Sequence, residues 1–180
     1  MQFEDAAEIA RVHLAAWESA YRCLLPDELI DSRDMSQQIE KWERSLRLLL
    51  ELADPTTDIP EEAILREGYV SEIEQKIVAL TFVGNGRDDR HSNQGEIQSI
   101  YVHPDYFRQG IGEVLLQFGE DRLVANGHKD AYLWVLESNA RAKAFYKAKG
   151  WSLAKSDFEK VAAIDDHKVV EHRFVKKITR

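Results

Sequence analysis

Cysteine, proline and long apolar runs are what this 180-residue chain has least of. It holds one cysteine, Cys23, and four prolines. A single thiol excludes an internal disulfide. Without a CxxC pair or a Cys/His cluster there is no ligand set for structural zinc, so no metal is expected. No run of 18 apolar residues occurs, so no membrane-spanning helix is expected. The N-terminus carries acidic Glu4 and Asp5 where a secretory signal would have a basic flank and an apolar stretch, which points to a cytoplasmic protein. Basic residues are in the minority, 24 Lys and Arg against 32 Asp and Glu, for a net charge of −8. Nucleic-acid binding neutralises phosphates with Lys and Arg, so a nucleic-acid partner is not expected. The acidic balance suits a cationic substrate. What the chain does have is 44% hydrophobic residues. That supports a packed core and excludes wholesale disorder, and the length suits one domain over residues 1–180.

The first third reads helical. Ile9, Val12, Ala16 and Ala20 recur at three- and four-residue steps until Pro26 interrupts them. Asp34 and Gln37 form a capping pattern before a second helix carrying Ile39, Trp42, Leu46 and Leu49. Asp54 to Pro60 is a breaker-rich connection. From Gly68 the period changes. Tyr69–Ile73 and Lys76–Val83 predict a hairpin about Glu74 and Gln75. Gly84–Gly95 is polar and predicts a mobile surface loop, and Glu96–Val102 a strand. A helix over about 110–126 is expected, with Ile111, Val114, Leu115 and Phe118 on its apolar stripe and Gly127 as its stop. Ala131–Leu136 reads as a buried strand, and 139–149 as a short helix ended by Gly150. Trp151–Phe158 and Lys168–Lys176 read as a closing strand pair around Asp165 and Asp166. This order implies a mixed α/β sheet with at least one parallel crossover.

The chemistry concentrates where strand 96–102 ends. After His103 and Pro104, the segment Tyr106-Phe107-Arg108-Gln109-Gly110-Ile111-Gly112 opens a helix. Glycines at 110 and 112 let backbone approach a bulky ligand. The first turn of a helix offers unpaired N–H groups and the positive end of the macrodipole, a cradle for pyrophosphate. Arg108 can add a charged hydrogen bond. Neither the phosphate-binding G-x-x-x-x-G-K-[ST] nor a full G-x-G-x-x-G is present.

A second signature follows. Asn139 to Trp151 reads N-x-x-A-x-x-F-Y-x-x-x-G-W, just after a strand ending Trp134-Val135-Leu136-Glu137. Together with the upstream V-x-P-x-x-x-x-x-G-I-G, it resembles the GNAT superfamily of acyl-CoA-dependent N-acetyltransferases. The resemblance is strongest over residues 96–151 and looser over 68–95 and 1–25. One departure is Phe107, where many members carry Gln or Arg. The resemblance implies the acyl-CoA N-acyltransferase fold: a mostly antiparallel α+β sheet, a splayed parallel pair of central strands, and about four flanking helices. It implies acetyl transfer from acetyl-CoA to a primary amine by direct attack in a ternary complex. The acceptor would be a small molecule or a protein, and the enzyme a monomer or homodimer. A non-catalytic acyl-CoA-binding regulatory module is the alternative, and a nucleotide- or phosphate-binding protein a third reading.

Residue roles follow from the same resemblance. Tyr146 is the expected general acid for the departing thiolate, since a phenol holds its proton at neutral pH. Glu96, at the start of the strand before the glycine turn, is the first candidate for the base that deprotonates the amine, with His103 the second. Ile100 and Val102 are expected to pair with the pantetheine amides, and N–H groups near Tyr101 to His103 to stabilise the oxyanion of acyl transfer. Arg108, Gln109, Gly110, Ile111, Gly112 and Glu113 form the cofactor turn. Asn139, Ala142 and Phe145 supply a cap and a wall for the same ligand. Trp17, Tyr21, Arg22, Glu72 and Trp134 are candidates around the acceptor, where aromatic and acidic groups suit an amine.

Overall fold

The computed structural model describes residues 1–53 and 66–179. Five α-helices are described: α1 (Ala6–Tyr21), α2 (Asp27–Asp31), α3 (Met35–Ala53), α4 (Ile111–Ala125) and α5 (Ala140–Ala148). The strands are β1 (Arg66–Ile73), β2 (Lys76–Asn85), β3 (Gly95–Val102), β4 (Asp130–Leu136), β5 (Ser152–Leu153), β6 (Glu159–Ile164) and β7 (His167–Lys177). They form one sheet in the order β1-β2-β3-β4-β7-β5, with β6 also paired to β7. The β3–β4 pair is parallel, and every other pairing is antiparallel.

Local chemistry accounts for the boundaries. Asp34 Oδ1 accepts from the Gln37 N–H at 3.0 Å, capping α3 as its sequence predicts. Glu74 and Gln75 both take positive φ (50° and 64°), the conformation a two-residue hairpin turn needs between Ile73 and Lys76. Gly127 and Gly150 end α4 and α5 at φ 89° and 82°. The connection Asp54–Pro60 lies outside the described residues.

The sheet is covered on both faces. Alternation turns Val83 and Phe82 of β2 to opposite sides. Val83 joins Ile97, Leu116, Leu123, Leu133, Trp151 and Phe174 beneath α4 and α5. Phe82 joins Ile9, Val12, Leu46, Ile77 and Leu80 beneath α1 and α3. A third cluster ties Trp17 of α1 to Leu29 and Ile30 of α2, with Ile164 of β6 against it.

Three expectations need correction. The apolar stripe of α4 is rotated by one residue. Leu115, Leu116, Gly119 and Leu123 are buried, while Val114 and Phe118 are exposed. Buried Glu120 replaces an apolar residue on that face; its carboxylate takes the Trp151 indole N–H at 2.9 Å and the Lys176 ammonium at 2.7 Å. Of 151–158 only Ser152–Leu153 pairs with β7; the hairpin partner across the turn at Asp165–Asp166 is residues 159–164, and Arg173 captures the carbonyls of Ser156 and Asp157 and holds the stretch between in an irregular path. The 84–95 loop is tied down. Gly86 N–H bonds Gln94 O at 2.9 Å, His91 is buried against Tyr132, and Arg87 is clamped by Glu96.

Candidate active site

The two central strands touch only where they begin. β3 and β4 pair at Gly95↔Ala131 and Glu96↔Tyr132, and no register continues beyond. Tyr132 O–H donating to Glu96 Oε2 at 3.1 Å pins that end. Past it the strands separate. His103 N–H donates to Val78 O at 2.9 Å. The register Val102↔Ala79, Tyr101↔Leu80, Ile100↔Thr81 alternates from there. Tyr101 therefore turns its N–H and C=O toward β2, whereas Ile100 and Val102 turn theirs into the gap. On β4 the Ile178 N–H bond to Lys129 O sets the same alternation against β7, so Trp134 and Leu136 offer their main chain from the other side. Of the N–H groups from Tyr101 to His103, only that of Val102 faces the gap; the other two belong to β2. Tyr101 contributes a half-buried phenol ring to the α1 face.

The gap leads to the mouth of α4. Phe107 N–H bonds Pro104 O, and Glu113 and Val114 N–H both bond Gly110 O. Between them, the N–H groups of Arg108, Gln109, Gly110, Ile111 and Gly112 have no acceptor among the described residues. Arg108 and Gly110 both hold positive φ, 61° and 82°, which curls the turn so that its amides converge. A Cβ on Gly110 would meet nothing within 4 Å, so its glycine serves the backbone conformation and the open space beside it. A Cβ on Gly112 would stand 3.7 Å from both Phe145 and Val102, narrowing the passage between them. Arg141 lies over the Phe107 ring at 4.8 Å, so a guanidinium sits where the aromatic departure occurs. Gln109 Nε2 bonds Asp105 O at 3.3 Å, and Glu113 pairs with Lys149 at 2.7 Å. Their side chains brace the turn while their neighbours' main chain stays free. His103 Nδ1 accepts from Asp105 N–H, which makes it a turn residue. A diphosphate fits this cradle of unpaired donors, and an extended amide-bearing arm fits the free edges of Ile100 and Val102.

Helix α5 lies beside the mouth of α4, where its Phe145 and Val102 of β3 flank Gly112. Asn139 Oδ1 caps α5 by accepting Ala142 N–H at 3.0 Å. Ala142 and Phe145 pack on the α4-side core. The Tyr146 ring stands 5.2 Å from that of Phe145 and 6.3 Å from that of Trp151. Burial, with the Tyr101 phenol nearby, pushes the Tyr146 phenol above its ordinary value. Tyr21 is raised too, by burial and by the fields of Tyr101, Tyr146 and Glu171. The phenols of Tyr21, Tyr101 and Tyr146 are thus neighbours in one cluster.

Comparison with known proteins fits this geometry. The sequence profile of the Acetyltransferase (GNAT) family matches residues 27–151. The chain belongs to the GNAT family. An uncharacterised N-acetyltransferase of Bacillus subtilis, YuaI, is 26% identical over 82% of this chain and 75% of its own length. The [ribosomal protein bS18]-alanine N-acetyltransferase of Escherichia coli is 39% identical over 34% of this chain and 42% of its own. Among solved structures, the PaiA N-acetyltransferase of Thermoplasma acidophilum in complex with coenzyme A has a TM-score of 0.65 at 19% identity, covering 98% of this chain and 95% of that one. The acetyltransferase yncA of Salmonella typhimurium with its cofactor acetyl-CoA gives 0.66 at 17%, covering 100% and 92%. The mixed sheet with its splayed parallel pair is the GNAT fold.

A cleft of about 430 Å³ opens between the loop after β2 and the β6–β7 hairpin, lined among others by Arg87, Glu96, Trp134, Lys160 and Glu171. Glu96 lines it but is 1% exposed. Its Oε2 takes Arg87 N–H, Arg87 Nε–H and Tyr132 O–H, and its Oε1 takes Arg87 Nη2 at 2.7 Å. A carboxylate offers about four acceptor sites, so four protein donors leave little capacity for a substrate. Of the acceptor candidates, Trp134 lines the cleft and Tyr21 joins the phenol cluster. Trp17 is buried beneath the Arg33 guanidinium, 3.7 Å from it. Arg22 ties α1 to α2 through Glu18 and Asp31. Glu72 is exposed on edge strand β1, two strands from the gap, so the fold does not bring it to the site. Lys160 and Glu171 were not foreseen. They sit in alternating strand sequence with no motif around them, and only the pairing of β6 with β7 sets them side by side.

Proposed function

We propose that this chain, working in the cytoplasm as one domain, transfers the acetyl group of acetyl-CoA to a primary amine by direct attack in a ternary complex. The single observation that carries the reading is the gap between β3 and β4. It presents the free main-chain edges of Ile100 and Val102 beside five unpaired N–H groups at the mouth of α4, where Phe145, the neighbour of Tyr146, flanks Gly112. Acetyl-CoA brings an activated thioester, whose C–S bond breaks as the C–N bond to the amine forms. The turn 108–112 holds the diphosphate through backbone N–H groups, which do not depend on side-chain identity, so Phe107 is tolerated. Ile100 and Val102 orient the arm as an added strand would be oriented. The Val102 N–H is the main-chain donor left for the carbonyl oxygen. The acceptor loses one proton to solvent before its neutral amine attacks; Tyr146, kept protonated by burial, gives its proton to the departing sulfur and regains one through solvent from the nitrogen that has just been acylated.

Glu96 acts in this scheme as a positioning residue. Its bonds to Arg87 and Tyr132 lock the β2–β3 loop onto the closed end of the gap, which fixes where the strands part. The acceptor is a small molecule or a protein amine. The relative named for a ribosomal protein's alanine makes a protein α-amine one option. The test is thiol release from acetyl-CoA across a panel of alkyl amines, diamines and peptides. Saturable turnover with some amine is expected. Acetyl-CoA binding with no turnover across the panel refutes the enzyme reading.

A further inference from the structure

Inside the cleft the chain already binds an alkylammonium group, its own. Lys160 Nζ lies over the Trp134 ring at 4.2 Å and 3.3 Å from Glu171 Oε2. An aromatic face and a carboxylate together are the standard recognition set for a cationic amine. The other two carboxylates of the cleft are committed. Glu96 is filled by Arg87 and Tyr132, and Asp88 is held by Arg90 at 2.9 Å, which pulls its carboxyl down to about 2. Among the described residues Glu171 pairs with Lys160 alone, a side chain one-third exposed on a strand near the edge of the sheet. Glu171 lies in register with Leu136, one of the β4 residues whose main chain faces the gap, and shares the cleft with Trp134. The indole Nε1 of Trp134 is buried with no hydrogen-bond partner among the described residues, while Lys160 lies on its ring.

We propose that the Trp134 face and the Glu171 carboxylate form the subsite that receives the acceptor's alkylammonium, and that Lys160 is its built-in occupant, displaced when the acceptor enters. This rests on the acetyltransferase reading and narrows its substrate class to alkylamines that arrive protonated. Anilines and amides lack the charge to compete with Lys160. A lysine already in place sets a threshold. Weakly binding cations are excluded, and an acceptor must outcompete a tethered ammonium.

The test is titration calorimetry with n-butylammonium, and with 1-pentanol as the neutral probe of similar shape, on the full chain and on Lys160→Met and Glu171→Gln. Methionine keeps the alkyl stem of Lys160 and removes its charge. Freeing one cation–π contact and one ion pair should tighten n-butylammonium by about tenfold in Lys160→Met and leave 1-pentanol unchanged. Glu171→Gln should weaken n-butylammonium by about tenfold. Unchanged or weaker n-butylammonium binding in Lys160→Met overturns the proposal, as does an equal gain for 1-pentanol, which would mean that only space was opened. Should Glu171→Gln fail to fold, Lys160→Met decides alone. A parallel titration of the wild type with acetyl-CoA separates the two readings. No acetyl-CoA heat with tightened n-butylammonium sinks the acetyltransferase reading and keeps the subsite. Acetyl-CoA heat with unchanged n-butylammonium sinks the subsite alone.

Discussion

Replacing Gly110 separates the shape of the cofactor turn from access to it. Gly110 holds φ 82°, and a Cβ there meets nothing within 4 Å. Gly110→Ala therefore costs backbone strain without a clash inside the protein. That strain is about 1–2 kcal/mol for an L-residue in the left-handed region, or about 2–8 °C of Tm for a chain of this size. The strain is present in free and bound protein alike and cancels in the binding constant. What remains in acetyl-CoA affinity is the effect of a methyl group between the amides and the diphosphate. Losing one charged hydrogen bond of about 1.5–3 kcal/mol weakens binding by about tenfold to a hundredfold. Gly110→Asn supplies the control, because asparagine tolerates this conformation but keeps the Cβ. It should recover much of the Tm and none of the affinity. Thermal melts of the free protein and calorimetry with acetyl-CoA read the two quantities separately. If affinity recovers with Tm in Gly110→Asn, the close-approach argument is wrong. If all three proteins bind alike, the cradle itself is wrong.

Tyr146→Phe should lower kcat by about a hundredfold while acetyl-CoA affinity stays within about twofold, because the hydroxyl acts on the leaving sulfur alone; equal turnover in steady-state assays removes Tyr146 from the mechanism. Glu96→Gln should lose about 1.5–3 kcal/mol in urea unfolding and expose Arg87 and Arg90 to trypsin, while the acid limb of the pH–rate profile stays in place. Retained stability with loss of that limb would make Glu96 the base after all. His13 is held down to about 4, chiefly by burial and then by Arg33 and Lys41, against an ordinary value of 6.5. Between those values the unfolded chain binds the proton and the folded chain does not. Stability is therefore fully present above pH 6.5 and falls as pH drops toward 4, by at most about 3 kcal/mol. His13→Phe should flatten that part of the stability curve in urea titrations from pH 4 to 7, and an unchanged slope refutes the assignment.

The parts of the site made of main chain were legible in the sequence, because they follow from local rules. Gly110 and Gly112 after a strand and His103-Pro104, and Asn139 three residues before the Ala142 it caps, constrain backbone within a few residues. Glu74 and Gln75 between two β-rich runs do the same for the first hairpin. The stripe of α4 was misjudged because Glu120 reads as a surface residue until Trp151 and Lys176, 31 and 56 positions away, supply its partners. Glu96, a candidate base by sequence, is filled for the same reason, since only folding delivers Arg87 and Tyr132 to it.

The sequence by itself determined most of the elements and the glycine turn that opens α4, since each is encoded by neighbours in the chain. The tertiary structure alone decided which charges are committed and which stay available. It paired Arg87 with Glu96, moved Glu72 to a far edge, and set Lys160 against Glu171 and Trp134. The physical reason is that a side chain's electrostatic role depends on what burial brings within a few ångströms of it, and strand pairing brings together residues that sequence keeps apart.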